Sequence, residues 1–149
     1  MGILQTGNAF DNLSFSQGHS CKTWRETRRQ WPAGGKVTNV SDWVSKNKIP
    51  AGTPCKYSMN ATGGKEVKCY TDEQVKAAVT KQEGQSAAAG IDSLGINGYT
   101  DRDIPIVNGD TQGTATVIRE GDIYEYMFDA DVAAALKANT LCPGVTFVN

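Results

Sequence analysis

The run Asn47-Lys-Ile-Pro-Ala-Gly-Thr-Pro-Cys-Lys-Tyr57, with the residues that follow it to Tyr70, constrains this chain more than any other stretch. Pro50 and Pro54 each fix a φ angle and push the residue before them towards extended geometry. Gly52 supplies a turn between them. Beyond the second proline, residues 55–59 and 66–70 show the period of two that marks a half-buried antiparallel pair. A turn over Asn60-Ala-Thr-Gly-Gly-Lys65 sets Cys55 opposite Cys69 and Tyr57 opposite Val67 on one face. Lys56, Ser58, Glu66 and Lys68 then point to the other face. The stretch holds no catalytic group. A chain whose clearest pattern is architectural is expected to be a structural or binding protein and not an enzyme.

The length of 149 residues suits one domain with room for a short extra arm. Sixteen glycines favour a turn-rich, mainly β protein over a helical bundle. Met1-Gly-Ile-Leu-Gln-Thr-Gly7 lacks the basic start and apolar run of a secretory signal, and no stretch approaches the roughly 18 apolar residues of a membrane span. Synthesis in a cytoplasm and no membrane association are therefore expected. The near-neutral total hides a split. Residues 1–68 carry ten Lys/Arg against four Asp/Glu, a net of +6; residues 69–149 carry five against twelve, a net of −7, and the two sum to −1. Such polarity means either that the two ends meet different neighbours, that copies meet front to back, or that solvated charges are segregated by chance.

Residues 1–20 read as an extended arm. Gly2, Gly7 and Gly18 oppose regular structure, while Ile3, Leu4, Phe10, Leu13 and Phe15 are more apolar than a disordered tail would be. An arm lying along a partner or a neighbouring copy is expected. Residues 22–31, Lys-Thr-Trp-Arg-Glu-Thr-Arg-Arg-Gln-Trp, concentrate four positive charges and two tryptophans. Ser41 is a candidate N-cap of one short helical turn. Thr71-Asp-Glu-Gln74 is a capping box and predicts a helix from about Asp72 to Gln82, with Val75, Ala78 and Val79 as its apolar stripe. Residues 84–98 read as a loop with a turn near Asp92. Residues 104–107 form a strand that Pro105 should confine to an edge. Residues 114–119 and 122–127 flank Glu120-Gly121 and predict a second hairpin. Asp129 or Asp131 should cap a helix through Val132, Leu136 and Lys137, and residues 145–148 form the last strand. The fold class expected is mainly β with short helices (α+β), a compact β domain built on antiparallel hairpins after an N-terminal arm. Residues 1–46 form the arm and docking segment and residues 47–149 the β domain.

Chemistry is sparse. His19 and Cys21 lack a third group to orient them as a nucleophilic pair. Cys21, Cys55, Cys69 and Cys142 have no Cys-x-x-Cys spacing, so a zinc site would need four distant segments to converge. The Cys55–Cys69 register permits a disulfide, while a reducing cytoplasm favours buried thiols. The aspartates between Asp101 and Asp131 do not form a calcium loop. No cofactor, metal or catalytic residue is expected. Residues 22–31 are the strongest binding candidate. Arginine beside aromatics can grip phosphates and stack on bases, and Arg and Trp are equally favoured anchors of protein interfaces. Trp24 and Trp31, seven residues apart, would also share the inward face of a local helix.

Lys48-Ile-Pro-Ala-Gly-Thr-Pro-Cys-Lys-Tyr57 resembles a phrase of tailed-bacteriophage head decoration and head fibre proteins. Gly95-Ile-Asn-Gly-Tyr-Thr-Asp-Arg-Asp-Ile-Pro-Ile106 and Gly121-Asp-Ile-Tyr-Glu-Tyr-Met127 resemble the same auxiliary capsid proteins, including those of crAss-like and other Bacteroidetes phages. The likeness spans residues 47–149 and carries no chemistry. Cys55, where an apolar β-former is expected, departs from it. The resemblance implies a virion structural protein assembled in a bacterial cytoplasm. It would sit on the capsid exterior against the major capsid protein and other head auxiliary or fibre proteins, as a homo-oligomer with a trimer favoured. Leu4, Phe10, Phe15, Trp24, Arg25, Arg28, Arg29 and Trp31 are the residues expected to grip the capsid. The alternative is a nucleic-acid-binding module using residues 22–31, which the acidic second half opposes.

Overall fold

The computed structural model of the chain describes residues 23–80 and 87–149. The arm expected over residues 1–20, with Leu4, Phe10 and Phe15, lies outside the described residues, as does the expected helix end at Gln82. The described protein is mostly β, as the patterning predicts. Its strands are β1 (Trp24–Gln30), β2 (Lys36–Val37), β3 (Lys48–Ile49), β4 (Pro54–Met59), β5 (Lys65–Cys69), β6 (Gly98–Thr100), β7 (Ile104–Val107), β8 (Asp110–Thr111), β9 (Val117–Tyr124) and β10 (Val145–Val148). Three short helices accompany them: α1 (Asp72–Thr80), α2 (Ala87–Asp92) and α3 (Ala130–Lys137). A seven-stranded mixed sheet runs in the order β10-β9-β6-β4-β5-β2, with β1 also paired to β9, and a three-stranded sheet runs β3-β7-β8.

The first hairpin forms in the expected register, with Cys55 opposite Cys69 and Tyr57 opposite Val67. Asn60 builds its turn by accepting from the backbone N–H groups of Thr62 (3.0 Å) and Gly64 (2.8 Å). Cys55 and Cys69 are buried free thiols, and burial pushes the Cys55 thiol well above its ordinary range. The capping box closes both ways: Thr71 N–H donates to Gln74 Oε1 (3.0 Å), and Gln74 N–H to Thr71 Oγ1 (3.3 Å). Asp129 caps α3 by accepting from Asp131 N–H.

Adjacent residues on a strand face opposite sides of a sheet, so the large sheet separates two cores. Ile118 packs with Tyr99, Val75, Ile91, Val132 and Leu136 in a core that includes residues of all three helices. Val117, one residue earlier, packs with Ile49, Cys55, Val67, Trp43 and Ile104 beneath the smaller sheet.

Four local expectations are corrected. Residues 117–124 are one continuous strand, not a hairpin turning at Glu120-Gly121. Gly121 is needed for close approach: a Cβ there would meet the Glu26 carbonyl oxygen at 2.6 Å. Residues 104–107 occupy the middle of the small sheet, not an edge. Each flanking ladder is only two pairs long, short enough to step around the donor that Pro105 lacks. Ser41 lies inside a 3-10 turn, Val40–Asp42, that has no side-chain cap. Helix α2 occupies part of the region expected as loop, where three successive alanines favour helix despite Gly90.

The proline-rich phrase crosses from the small sheet to the large one around a single residue, Thr100, which is fully buried. Its hydroxyl donates to the Pro50 carbonyl (2.9 Å) and accepts from Thr53 N–H (3.0 Å). Its N–H donates to the Thr53 carbonyl, and its own carbonyl accepts from Gly52 N–H (2.8 Å) and from the Trp24 indole (3.0 Å). Gly52 adopts φ +81° to make this crossing, and a Cβ there would meet Thr23 and Ile123.

Thr100→Val keeps the shape and removes the hydroxyl, leaving buried Thr53 N–H without its acceptor. We expect a loss of about 1–3 kcal/mol, read as a lower urea midpoint at unchanged slope. An unmoved midpoint would show that the hydroxyl contributes nothing. Gly121→Val is expected to cost about 1–3 kcal/mol by overpacking against β1. Wild-type stability in that variant would mean that β1 does not lie where the structure puts it.

Candidate functional site

The arginine- and tryptophan-bearing segment is a strand, not a local helix. Trp24–Gln30 runs antiparallel to Val117–Tyr124, with register shifts on either side of Glu120 and before Ile123. Among the described residues it pairs on this side only. Strands on both sides of the expected boundary at residues 46/47 share the large sheet, so the segment from Trp24 onward is woven into the β domain.

The two tryptophans hold the strand down. Trp24 is buried, edge-on to Tyr99 with ring centroids 6.4 Å apart, and its indole N–H is committed to Thr100. Trp31 is half-buried, stacked on Tyr57 at 5.4 Å, and donates its indole N–H to the Asn97 carbonyl at 3.0 Å. Trp24 therefore offers no exposed surface to a partner. From Arg25 to Gln30 every residue is exposed.

The three arginines meet acids from the far end of the chain. Arg25 donates to Asp122 Oδ2 at 2.5 Å, 97 residues away in sequence. Arg28 reaches Asp122 Oδ1 at 3.3 Å, and Arg29 lies 3.6 Å from Glu120. Asp122 is only 7% exposed. Its carboxylate is held below the ordinary range chiefly by the Arg25 hydrogen bond; burial opposes this, and Arg28 adds a lesser lowering. The Arg25 guanidinium is raised by the same bond. Part of the charge split of the sequence is thus met within the molecule. Of nine ion pairs among the described residues, five join a base from residues 1–68 to an acid from residues 69–149: Arg25–Asp122, Arg28–Asp122, Arg29–Glu120, Lys46–Glu73 and Lys48–Asp103.

A second feature sits on the proline-rich phrase. Residues 50–54, with Tyr70, Asp72, Met127 and Phe128, line a cleft of about 200 Å³. Burial raises the Asp72 carboxyl above its ordinary value. Among the described residues no group of three or more His, Cys, Asp or Glu could hold a metal ion, and no helix is long and apolar enough to cross a membrane. Cys142 is buried, with its thiol pushed up to about 11 by desolvation, which disfavours the reactive thiolate.

Of the residues expected to grip a partner, the structure brings Trp24, Arg25, Arg28, Arg29 and Trp31 onto and beside one strand; Leu4, Phe10 and Phe15 lie outside the described residues. Sequence reasoning missed Asp122 and Glu120 as the partners of the arginines. The signal was present in the opposite charges of the two halves, which also read as internal neutralisation. No protein-family model, curated protein or solved structure matches this chain.

The Asp122 shift has a definite sign. A carboxyl lowered in the folded state adds stability above its unfolded value, about 3.9, and loses it as pH falls through the lower folded value. Asp122→Asn should therefore lower the urea midpoint at pH 7, with the gap to wild type narrowing below about pH 4. A gap that stays constant with pH would show that the Arg25–Asp122–Arg28 cluster does not stabilise the fold.

Proposed function

We propose that this chain is a structural virion protein that binds the outside of a tailed-phage capsid lattice, reinforcing it or anchoring a head fibre, with no catalytic role. The reading starts from the resemblance of residues 47–149 to head decoration and fibre proteins. The observation that carries it furthest is the side of Trp24–Gln30 that is open among the described residues: an exposed strand, seated by Trp24 and preceded in the chain by residues 1–22. Unpaired strand backbone is a template for strand addition from another chain.

Arg25, Arg28 and Arg29 bias the choice of partner. An antiparallel pairing of this strand with its own copy would bring like charges together, so an acidic or neutral strand of a different protein fits better. The same ion pairs weigh against the nucleic-acid alternative, because a phosphate backbone would have to compete with Asp122 and Glu120 for all three arginines. Leu4, Phe10 and Phe15 would add apolar anchors, each worth about 1.5–3 kcal/mol when buried. Repetition across a symmetric particle multiplies weak single contacts.

The test is co-sedimentation with purified heads that lack the protein. The full chain should pellet with heads. A chain cut after Lys22, which keeps every described residue and is checked for folding by its urea midpoint, should bind at least about tenfold more weakly through loss of its apolar anchors. Wild-type occupancy by the shortened chain would remove residues 1–22 from the mechanism. Failure of the full chain to bind heads, together with DNA binding that falls steeply with salt, would replace the proposal with the nucleic-acid reading.

A further inference from the structure

Arg119 stands apart from the other described arginines. Arg25, Arg28, Arg29 and Arg102 each have a carboxylate partner, whereas no carboxylate lies within ion-pair distance of Arg119 among the described residues. Its guanidinium lies over the Trp31 ring, 4.9 Å from the centroid. Its Nε is shut off from water and has no hydrogen-bond acceptor. A cation held on an aromatic face keeps its donors in one plane, so with Nε covered it is the terminal Nη groups that can meet a planar acceptor.

The same side chain borders a groove of about 420 Å³ between β9 and the turn that leads into β10. Trp31, Leu141, Cys142 and Pro143 give it mostly apolar walls, and Leu141 is 47% exposed. Asn97 contributes no free polar group, since its side chain bonds both backbone groups of Tyr57 and its carbonyl takes the Trp31 indole. Glu120 also borders the groove and lies 3.6 Å from Arg29 in an exposed ion pair. The groove therefore combines apolar walls with a cation that has no ion-pair partner among the described residues.

We infer that this groove is a docking site for a peptide segment of a partner protein in which a Glu or Asp side chain is flanked by apolar residues. The carboxylate meets the Arg119 guanidinium, and an apolar neighbour lies against Leu141 and Pro143. The charge complementarity is specific: a carboxylate accepts two parallel N–H bonds from a guanidinium, and Arg119 lacks any such partner. The site is separate from the open side of Trp24–Gln30, and it stands whether or not the partner is a capsid protein.

The experiment is an NMR titration of the full-length protein that follows the Trp31 indole N–H and the Arg119 Nε–H. The probes are acetyl-Leu-Glu-Leu-amide and its uncharged isostere acetyl-Leu-Gln-Leu-amide. Saturable shifts of both resonances are expected with the Glu peptide, with binding of the Gln peptide weaker by about tenfold or more, as for loss of a charge-assisted hydrogen bond. Arg119→Gln should lose the preference while its Trp31 stays stacked, judged by an unchanged indole shift in the free protein. If Arg119→Gln disturbs that shift, Arg119→Lys replaces it, and an undiminished preference for the Glu peptide there would overturn the planar-acceptor account. Equal shifts by both peptides, or none by either, would overturn the inference. So would inorganic phosphate matching the Glu peptide, because the apolar walls would then have no part. A shift of both resonances in Asp11→Asn without peptide would assign the groove to the chain's own Phe10-Asp11 segment, and the partner would be rejected.

Discussion

The five hydrogen-bonding roles of Thr100 hold this fold at its crossing point. The residue is fully buried, and its hydroxyl, amide and carbonyl bind Pro50, Gly52, Thr53 and Trp24. Those four belong to the proline-rich crossing and to the first described strand. In a buried site each of these groups would be costly if left alone, so the three segments are specified together. The small sheet, the large sheet and the arginine-bearing strand meet at one residue. The two cores on either side of the sheet then fill in around that junction.

Charge follows from the same placement. Once Trp24 is anchored on Thr100, β1 lies against β9, and Arg25 and Arg28 fall beside Asp122. Exposed ion pairs contribute little individually, but Asp122 is almost wholly covered, so its carboxylate needs the two arginines. The ion pairs that join the basic first half to the acidic second half therefore tie part of that split to how the chain closes on itself. Among the described residues, an open strand side and an arginine without a carboxylate are left to a partner.

Features whose physics is local were legible in the sequence. The hairpin register followed from period-two patterning and from a turn that Asn60 could build; the capping box at Thr71 and the Asp129 cap followed from side chains reaching backbone a few residues away. Features that depend on distant partners were not. Gly121 looks like a turn residue from its neighbours alone, and only the presence of Glu26 and Thr27 across the ladder reveals it as a close-approach glycine in an unbroken strand. Trp24 and Trp31 at heptad spacing suit a helix face, and nothing within ten residues says that Val117–Tyr124 will capture the segment as a strand. The candidate site divides the same way. Its arginines were visible as a cluster, whereas the acids that neutralise them, and the exceptional position of Arg119, arise from pairings across roughly ninety residues.

The central claim is that the Trp24–Gln30 strand is an integral part of the folded domain, locked through Thr100, and not a detachable arm. Native-state hydrogen exchange tests it directly. The bonded amides of residues 24–30, together with Gly52 and Thr100, should exchange with the same opening free energy and denaturant dependence as the hairpin amides of Tyr57 and Val67. Exchange of residues 24–30 at a much lower free energy, with the hairpin still fully protected, would contradict the account.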